Sequence, residues 1–149
     1  MSPGTGHVLL VEGHEVGQVL LADTYLRRLR GMLLRRRLPP SLLLVPGGSV
    51  HGVGMTVGLD VAVLVPAPPT TSRQGPAPTR TPGPGTGPDR AARLGDMVVA
   101  KVARLRPFLL VGAVRGTVAV LETPVGGLER WGVGVGSTVR VVPSRPQAQ

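Results

Sequence analysis

Cysteine is absent from the 149 residues. That excludes disulfides, zinc–thiolate sites and thiol catalysis, and leaves the redox compartment open. Aromatics are nearly as scarce: Tyr25, Phe108 and Trp131 are the whole set. A core built almost without rings must be built from Leu and Val, and valine favours strands because its branched Cβ packs well on a pleated surface. Lysine is reduced to Lys101, against sixteen arginines and eight acids, for a net charge of +9. A pI near 11.8 permits attraction to nucleic acid or to an anionic membrane. Pro, Gly, Ala and Val are abundant as well, so the arginine excess reads first as a coding-composition bias. Long apolar runs are missing too. The N-terminus has no basic n-region, and Val8–Val11 ends at Glu12. Neither a signal peptide nor a membrane span, which needs about 20 apolar residues, fits this pattern. A cytoplasmic location is therefore expected.

What is present divides into short β-rich runs separated by glycine and proline. His7–Val11 and Glu15–Ala22 flank Glu12-Gly13-His14 and read as a hairpin. Asp23 then precedes a helical pattern over about residues 24–37, in which Ala22, Leu26, Leu29 and Leu33 share one face. Pro39-Pro40 ends it. Leu42–Val45, Val50–Val57, Leu59–Val65, Asp96–Leu105, Phe108–Val111, Thr117–Glu122 and Thr138–Val142 are further strand candidates, and Gly127–Trp131 reads as a short helical turn. From Pro66 to about Arg93 the chain holds Pro, Gly, Thr and Ser without any Val, Ile, Leu, Met or aromatic residue. Such a segment cannot bury enough apolar surface to offset its ordering entropy, so 66–93 is expected to be a disordered loop. The expected organisation is an N-terminal strand region over 1–18, a single β domain over 19–142 interrupted by that loop, and a disordered tail over 143–149. The fold class is all-β, a compact sandwich or partly closed barrel of about 7–9 short strands with one amphipathic helix.

Chemistry-bearing residues stand out against this plain background. His51 and Met55 are four apart and would share a face of an unbroken strand, where imidazole and thioether suit copper(I). Two ligands do not make a site, and the competing reading is a core methionine beside a hydrogen-bonded histidine. Asp60 and Glu122 are the acids embedded in apolar strands. Facing one another, they would share a proton or hold a cation. Otherwise each needs an arginine or backbone N–H groups, with Arg30, Arg106 and Arg130 as candidate partners. Trp131 is either part of a binding surface or a core plug whose indole N–H needs one acceptor. Arg27, Arg28, Arg30 and Arg35 lie within a run of six arginines over Arg27–Arg37. They spread around most of a helix, and only Tyr25 is near enough to stack on a base, so phosphate contact without sequence reading is the most they offer. Gly52-Val53-Gly54 misses the dinucleotide fingerprint, no phosphate-loop lysine exists, and Ser49 lacks a nucleophile elbow. No cofactor signature emerges.

The ordered series Ala22-Asp23-Thr24, Arg30-Gly31-Met32-Leu33, Leu42-Leu43-Leu44-Val45-Pro46, Ser49-Val50-His51, Gly54-Met55 and Leu59-Asp60-Val61-Ala62 resembles the family called domain of unknown function 192. Arg106-Pro107, Val120-Leu121-Glu122, Gly126 and Arg130-Trp131-Gly132 continue it in the second half. The resemblance spans about residues 19–142 apart from the Pro-rich segment, and it implies a small, mostly β protein. Gly52 and Gly58 depart from the pattern, which has a bulkier polar residue and a proline there. The leading expectation is a non-enzymatic binding or accessory domain that uses the surface around His51, Met55, Asp60, Glu122 and Trp131, with a small ligand or a protein as partner. Two alternatives stay open. One is a hydrolase-like or metal-dependent enzyme using His51, Asp60 and Glu122; the other is weak, non-specific nucleic-acid or anion binding through Arg27–Arg37.

Overall fold

Among the described residues alternating Val and Leu generate nine strands, and the most local pairing is the hairpin of β1 (His7–Val11) and β2 (His14–Ala22). Its two-residue loop, Glu12-Gly13, has φ of 49° and 81°. That is the type I′ turn whose twist matches its flanking strands. The computed structural model describes residues 6–22, 41–45, 48–51, 58–68 and 94–144, and for Ala22, Val50 and His51 it describes the backbone alone. The helix expected over 24–37, the greater part of the Pro-rich segment and most of the C-terminal tail lie outside the described residues.

The remaining strands are β3 (Leu42–Leu44), β4 (Val50–His51), β5 (Leu59–Pro66), β6 (Met97–Leu105), β7 (Leu110–Val111), β8 (Ala119–Pro124) and β9 (Thr138–Pro143). Seven of them form a closed ring in the order β1-β2-β3-β8-β5-β6-β9, and β9 pairs back onto β1. The short β4 and β7 form a separate two-stranded sheet. Within the ring only β2 and β3 run parallel. A parallel pair needs a crossover connection, and here it spans 23–40. Ser41, fully buried, pins the start of β3: its Oγ donates to Gln18 O at 2.8 Å, and Leu20 N donates to Ser41 O at 3.1 Å.

β5 and β8 organise the interior. Leu59 through Leu64 are all buried, because alternate side chains of β5 enter two different apolar clusters. Ala62 and Leu64 join Leu9, Val19, Leu43, Met97, Val99, Leu121, Val139 and Val141 inside the ring. Leu59, Val61 and Val63 join Leu42, Leu44, Leu105, Val111 and Val120 on its outer surface. A strand buried on both faces reads as a continuous apolar run, which is the pattern of Leu59–Val65. Each fully buried Leu or Val contributes about 1.5–3 kcal/mol.

Several boundaries differ from the sequence expectation by a residue or two, three of them with a cause visible in the hydrogen bonds. Thr117 does not begin β8; its N–H and hydroxyl both bond to Val114 O and close a turn. Phe108 and Leu109 are not strand residues either, since Leu109 N donates to Arg106 O across a second turn, and β7 begins at Leu110. β9 runs through Pro143, and Ser144 N donates to Gly6 O at 2.8 Å, so pairing continues past the expected start of the tail. β1 and the first half of β2 are full members of the ring.

Candidate functional site

Asp60 is the second residue of β5, at the end of that strand that meets α1 (Gly127–Arg130). Its register partner on β6 is Arg104, whose Nε donates to Oδ1 at 3.1 Å. Its other oxygen, Oδ2, accepts from Gly126 N at 2.8 Å. Gly126 is the residue before α1, with φ of 86°, a left-handed conformation that glycine adopts at no steric cost. No side chain of α1 caps its own N-terminus, so the carboxylate of Asp60, brought from a different strand, meets the first free amide. Asp60 is thus a buried carboxylate with both oxygens engaged, of the arginine-plus-backbone kind. The arginine is Arg104, however, and not Arg106 or Arg130; Arg30 lies outside the described residues.

Trp131 follows α1 at its other end. Its indole lies over Gly17 of β2: a Cβ placed on Gly17 would come within 2.7 Å of Cζ2. The ring is part-buried against the inner cluster, beside fully packed Leu128. Gly127 is held equally tightly, since a Cβ there would meet Thr123 Oγ1 at 2.6 Å. Asp60 and Trp131 therefore act on the same element, fixing the two ends of a helical turn against the ring.

Glu122 belongs elsewhere. On β8 it faces Leu42 of β3 and Val61 of β5 in register, and Asp60 faces Thr123. Adjacent residues of a strand point to opposite faces, so Asp60 and Glu122 lie on opposite sides of the sheet. Glu122 shares its side with Leu42, Leu44, Val61, Val63 and Val120, and is 5% exposed. Burial among these aliphatic side chains pushes its carboxyl up from 4.5 to about 7. Among the described residues, no side chain or backbone group hydrogen-bonds to it.

The carboxylate pair expected of an Asp60–Glu122 centre is therefore not formed, because the register places the sheet between the two acids. His51 lies in β4, paired with Leu110 of β7, and its side chain is outside what is described. Met55, Arg27, Arg28 and Arg35 are outside it altogether. Among the described residues no group of three His, Cys, Asp or Glu side chains is arranged to hold a metal ion. Ser49 is engaged structurally, its Oγ accepting from Ala113 N at 3.2 Å.

Two features escaped the sequence reading. Arg104 did, because the 30 residues between β5 (ending at Pro66) and β6 (starting at Met97) stand where a short hairpin loop would have fixed their register, and a bulge between Val63 and Leu64 shifts it again. Phe108 did as well: it is one of only three aromatics, yet it is 76% exposed. Pro107 before it was the available signal, since proline favours the second position of a turn over a strand interior.

The comparisons with known proteins bear on the fold. No protein-family model matches the chain, and no curated protein does. Solved structures do. A Sinorhizobium meliloti 1021 protein provisionally described as a transcription regulator is similar with a TM-score of 0.59 and 16% identity, over 93% of this chain and 92% of that one. A Novosphingobium aromaticivorans DSM 12444 protein of unknown function is similar with a TM-score of 0.57 and 19% identity, over 91% of this chain and 83% of that one. The same ring-like β fold recurs in both. Among the described residues, no helix is long and apolar enough to cross a membrane.

Proposed function

We propose that this chain is a cytoplasmic, non-enzymatic binding or accessory domain of the family called domain of unknown function 192. The observation that carries the reading is the division of its two strand acids. Asp60 spends both oxygens on Arg104 and Gly126, and Glu122 sits across the sheet in an aliphatic setting. A general acid and base need a common substrate within hydrogen-bond reach, and these two share none. A ligand or partner on the outer face would reach Glu122 through its 5% exposed edge. Near neutral pH its carboxyl is part protonated, able both to donate and to accept a hydrogen bond. The family membership is supported by the order of the motifs and by the small all-β architecture.

A thermal-shift screen against metals, sugars and anions tests this reading, with Glu122→Gln and Asp60→Asn run beside the wild type. Ligand binding to the native state raises the melting temperature by mass action. The expected result is a ligand-dependent rise that Glu122→Gln removes and Asp60→Asn keeps, with no ligand consumed. Turnover of the ligand abolished by Asp60→Asn would refute it.

A second reading is electrostatic nucleic-acid contact, favoured by the net charge of +9 and by the likeness to the Sinorhizobium protein. It predicts duplex binding whose affinity falls steeply with salt, as counterion release requires. Absence of DNA binding at low ionic strength would end it.

A further inference from the structure

The turn between β6 and β7 carries an apolar tip whose exposure is built in by its backbone. Leu109 N donates to Arg106 O at 3.1 Å, which makes Arg106–Leu109 a four-residue turn with Pro107 second and Phe108 third. Phe108 has φ of 63°. With proline fixing the second position, a positive φ at the third defines a type II turn, whose third position is normally glycine or asparagine. A bulky residue held there is strained, and such strain collects at functional positions. Here it aims the only phenylalanine of the chain outward. Phe108 is 76% exposed, Leu109 52% and Leu110 68%, so three consecutive large apolar residues face solvent. Val125, 46% exposed, lies at the same end of the ring, because Gly58 at the start of β5 neighbours both Leu105 O and Val125. Exposed apolar groups scattered singly are ordinary, but a contiguous group marks a contact surface.

The charge around this tip has one dominant sign. From Met97 to Leu121 the chain holds Lys101, Arg104, Arg106 and Arg115 and neither Asp nor Glu. Arg106 is exposed beside the tip, and Arg130 projects at the same end of the ring, next to Gly126, whereas Arg115 sits in the Val114–Thr117 turn at the opposite end. Of the acids there, Asp60 is already bound to Arg104, and Glu129 stands beside Arg130 in α1. We propose that the Phe108-Leu109-Leu110 tip inserts into the interface of an anionic lipid bilayer, with Arg106 and its neighbouring cations contacting the headgroups. A convex tip that presents an aromatic and two leucines suits the headgroup–acyl boundary, where aromatic rings concentrate and where each nearby cation adds to the attraction. The tip faces solvent whereas Glu122 is 5% exposed, and membrane contact goes beyond the binding-domain reading.

Co-sedimentation of the full chain with vesicles tests it. Wild type is expected to sediment with phosphatidylcholine–phosphatidylserine vesicles and to stay in solution with phosphatidylcholine alone. Arg106→Gln is expected to lower partitioning about fivefold, the effect of one cation near a charged surface. Phe108→Gly is expected to lower it about tenfold through lost apolar burial, while melting at or above the wild-type temperature because glycine is unstrained at this φ. That opposite pair of effects separates a membrane contact from a folding defect. Absence of vesicle binding overturns the proposal. So does undiminished binding by Phe108→Gly, which would leave charge alone as the cause, and so does binding of duplex DNA or an acidic protein with none to vesicles.

Discussion

Replacing Asp60 with alanine removes the acceptor of two hydrogen bonds at once, and the two are not equal. Arg104 is 53% exposed along its side chain and recovers hydration when released, so its share is below about 1 kcal/mol. The Gly126 amide is left without its acceptor at a part-buried site, and that penalty is about 1–3 kcal/mol. Urea unfolding should therefore show Asp60→Ala destabilised by about 2–3 kcal/mol and Arg104→Ala by under about 1 kcal/mol. Equal losses from the two would place the energy in the ion pair instead. Gly17 offers a second test at this scale. Alanine there would press on Trp131 Cζ2 from 2.7 Å, an overpacking cost of about 1–3 kcal/mol. Trp131 is the only tryptophan, so its emission maximum should shift with Gly17→Ala; an unmoved spectrum and unchanged stability would show that the indole does not rest on that glycine.

At the level of elements, α1 sets propensity against packing. By helix propensity, Gly127→Ala would stabilise by about 1 kcal/mol. The added Cβ would meet Thr123 Oγ1 at 2.6 Å and Thr123 Cβ at 2.7 Å, and a backbone-anchored Cβ cannot swing aside. Packing should win, lowering the melting temperature; a rise on Gly127→Ala would show that α1 is loosely seated. The strands themselves were largely legible, because Val and Leu alternation and Gly/Pro punctuation act within a few residues. β1, β2, β5, β6 and β9 fall within a residue or two of where that pattern puts them. The exceptions are local in cause: Thr117 spends its hydroxyl on its own turn, and Pro107 bends the chain before Leu110 can pair. Beyond the β1–β2 hairpin, which strand lies beside which was not legible. β8 sits between β3 and β5, a placement settled by long-range apolar burial, which leaves no mark in any one segment.

Seen as a whole molecule, the ring has two apolar surfaces, one enclosed and one outside, and β5 and β8 carry residues of both. The site could be read from the sequence only as a set of unusual residues. Asp60 and Glu122 look alike there, as acids within Val/Leu strands, and the one-residue difference in register that sends them to opposite faces is a property of pairing. That difference has a consequence for global stability. Between pH 4.5 and about 7 the folded protein holds a proton on Glu122 that the unfolded chain has released, so stability falls as pH rises through this window and levels off above it. A rise from 4.5 to about 7 corresponds to about 3 kcal/mol. The decisive measurement is the unfolding free energy of wild type and Glu122→Gln across that window. The division of the two acids predicts that wild type loses about 3 kcal/mol between pH 4.5 and 8 through this group, and that Glu122→Gln, neutral throughout, lacks that component and is the more stable protein at pH 8. Parallel curves for the two proteins, or a glutamine variant less stable at pH 8, would contradict it and return Glu122 to the role of a paired, ionised carboxylate.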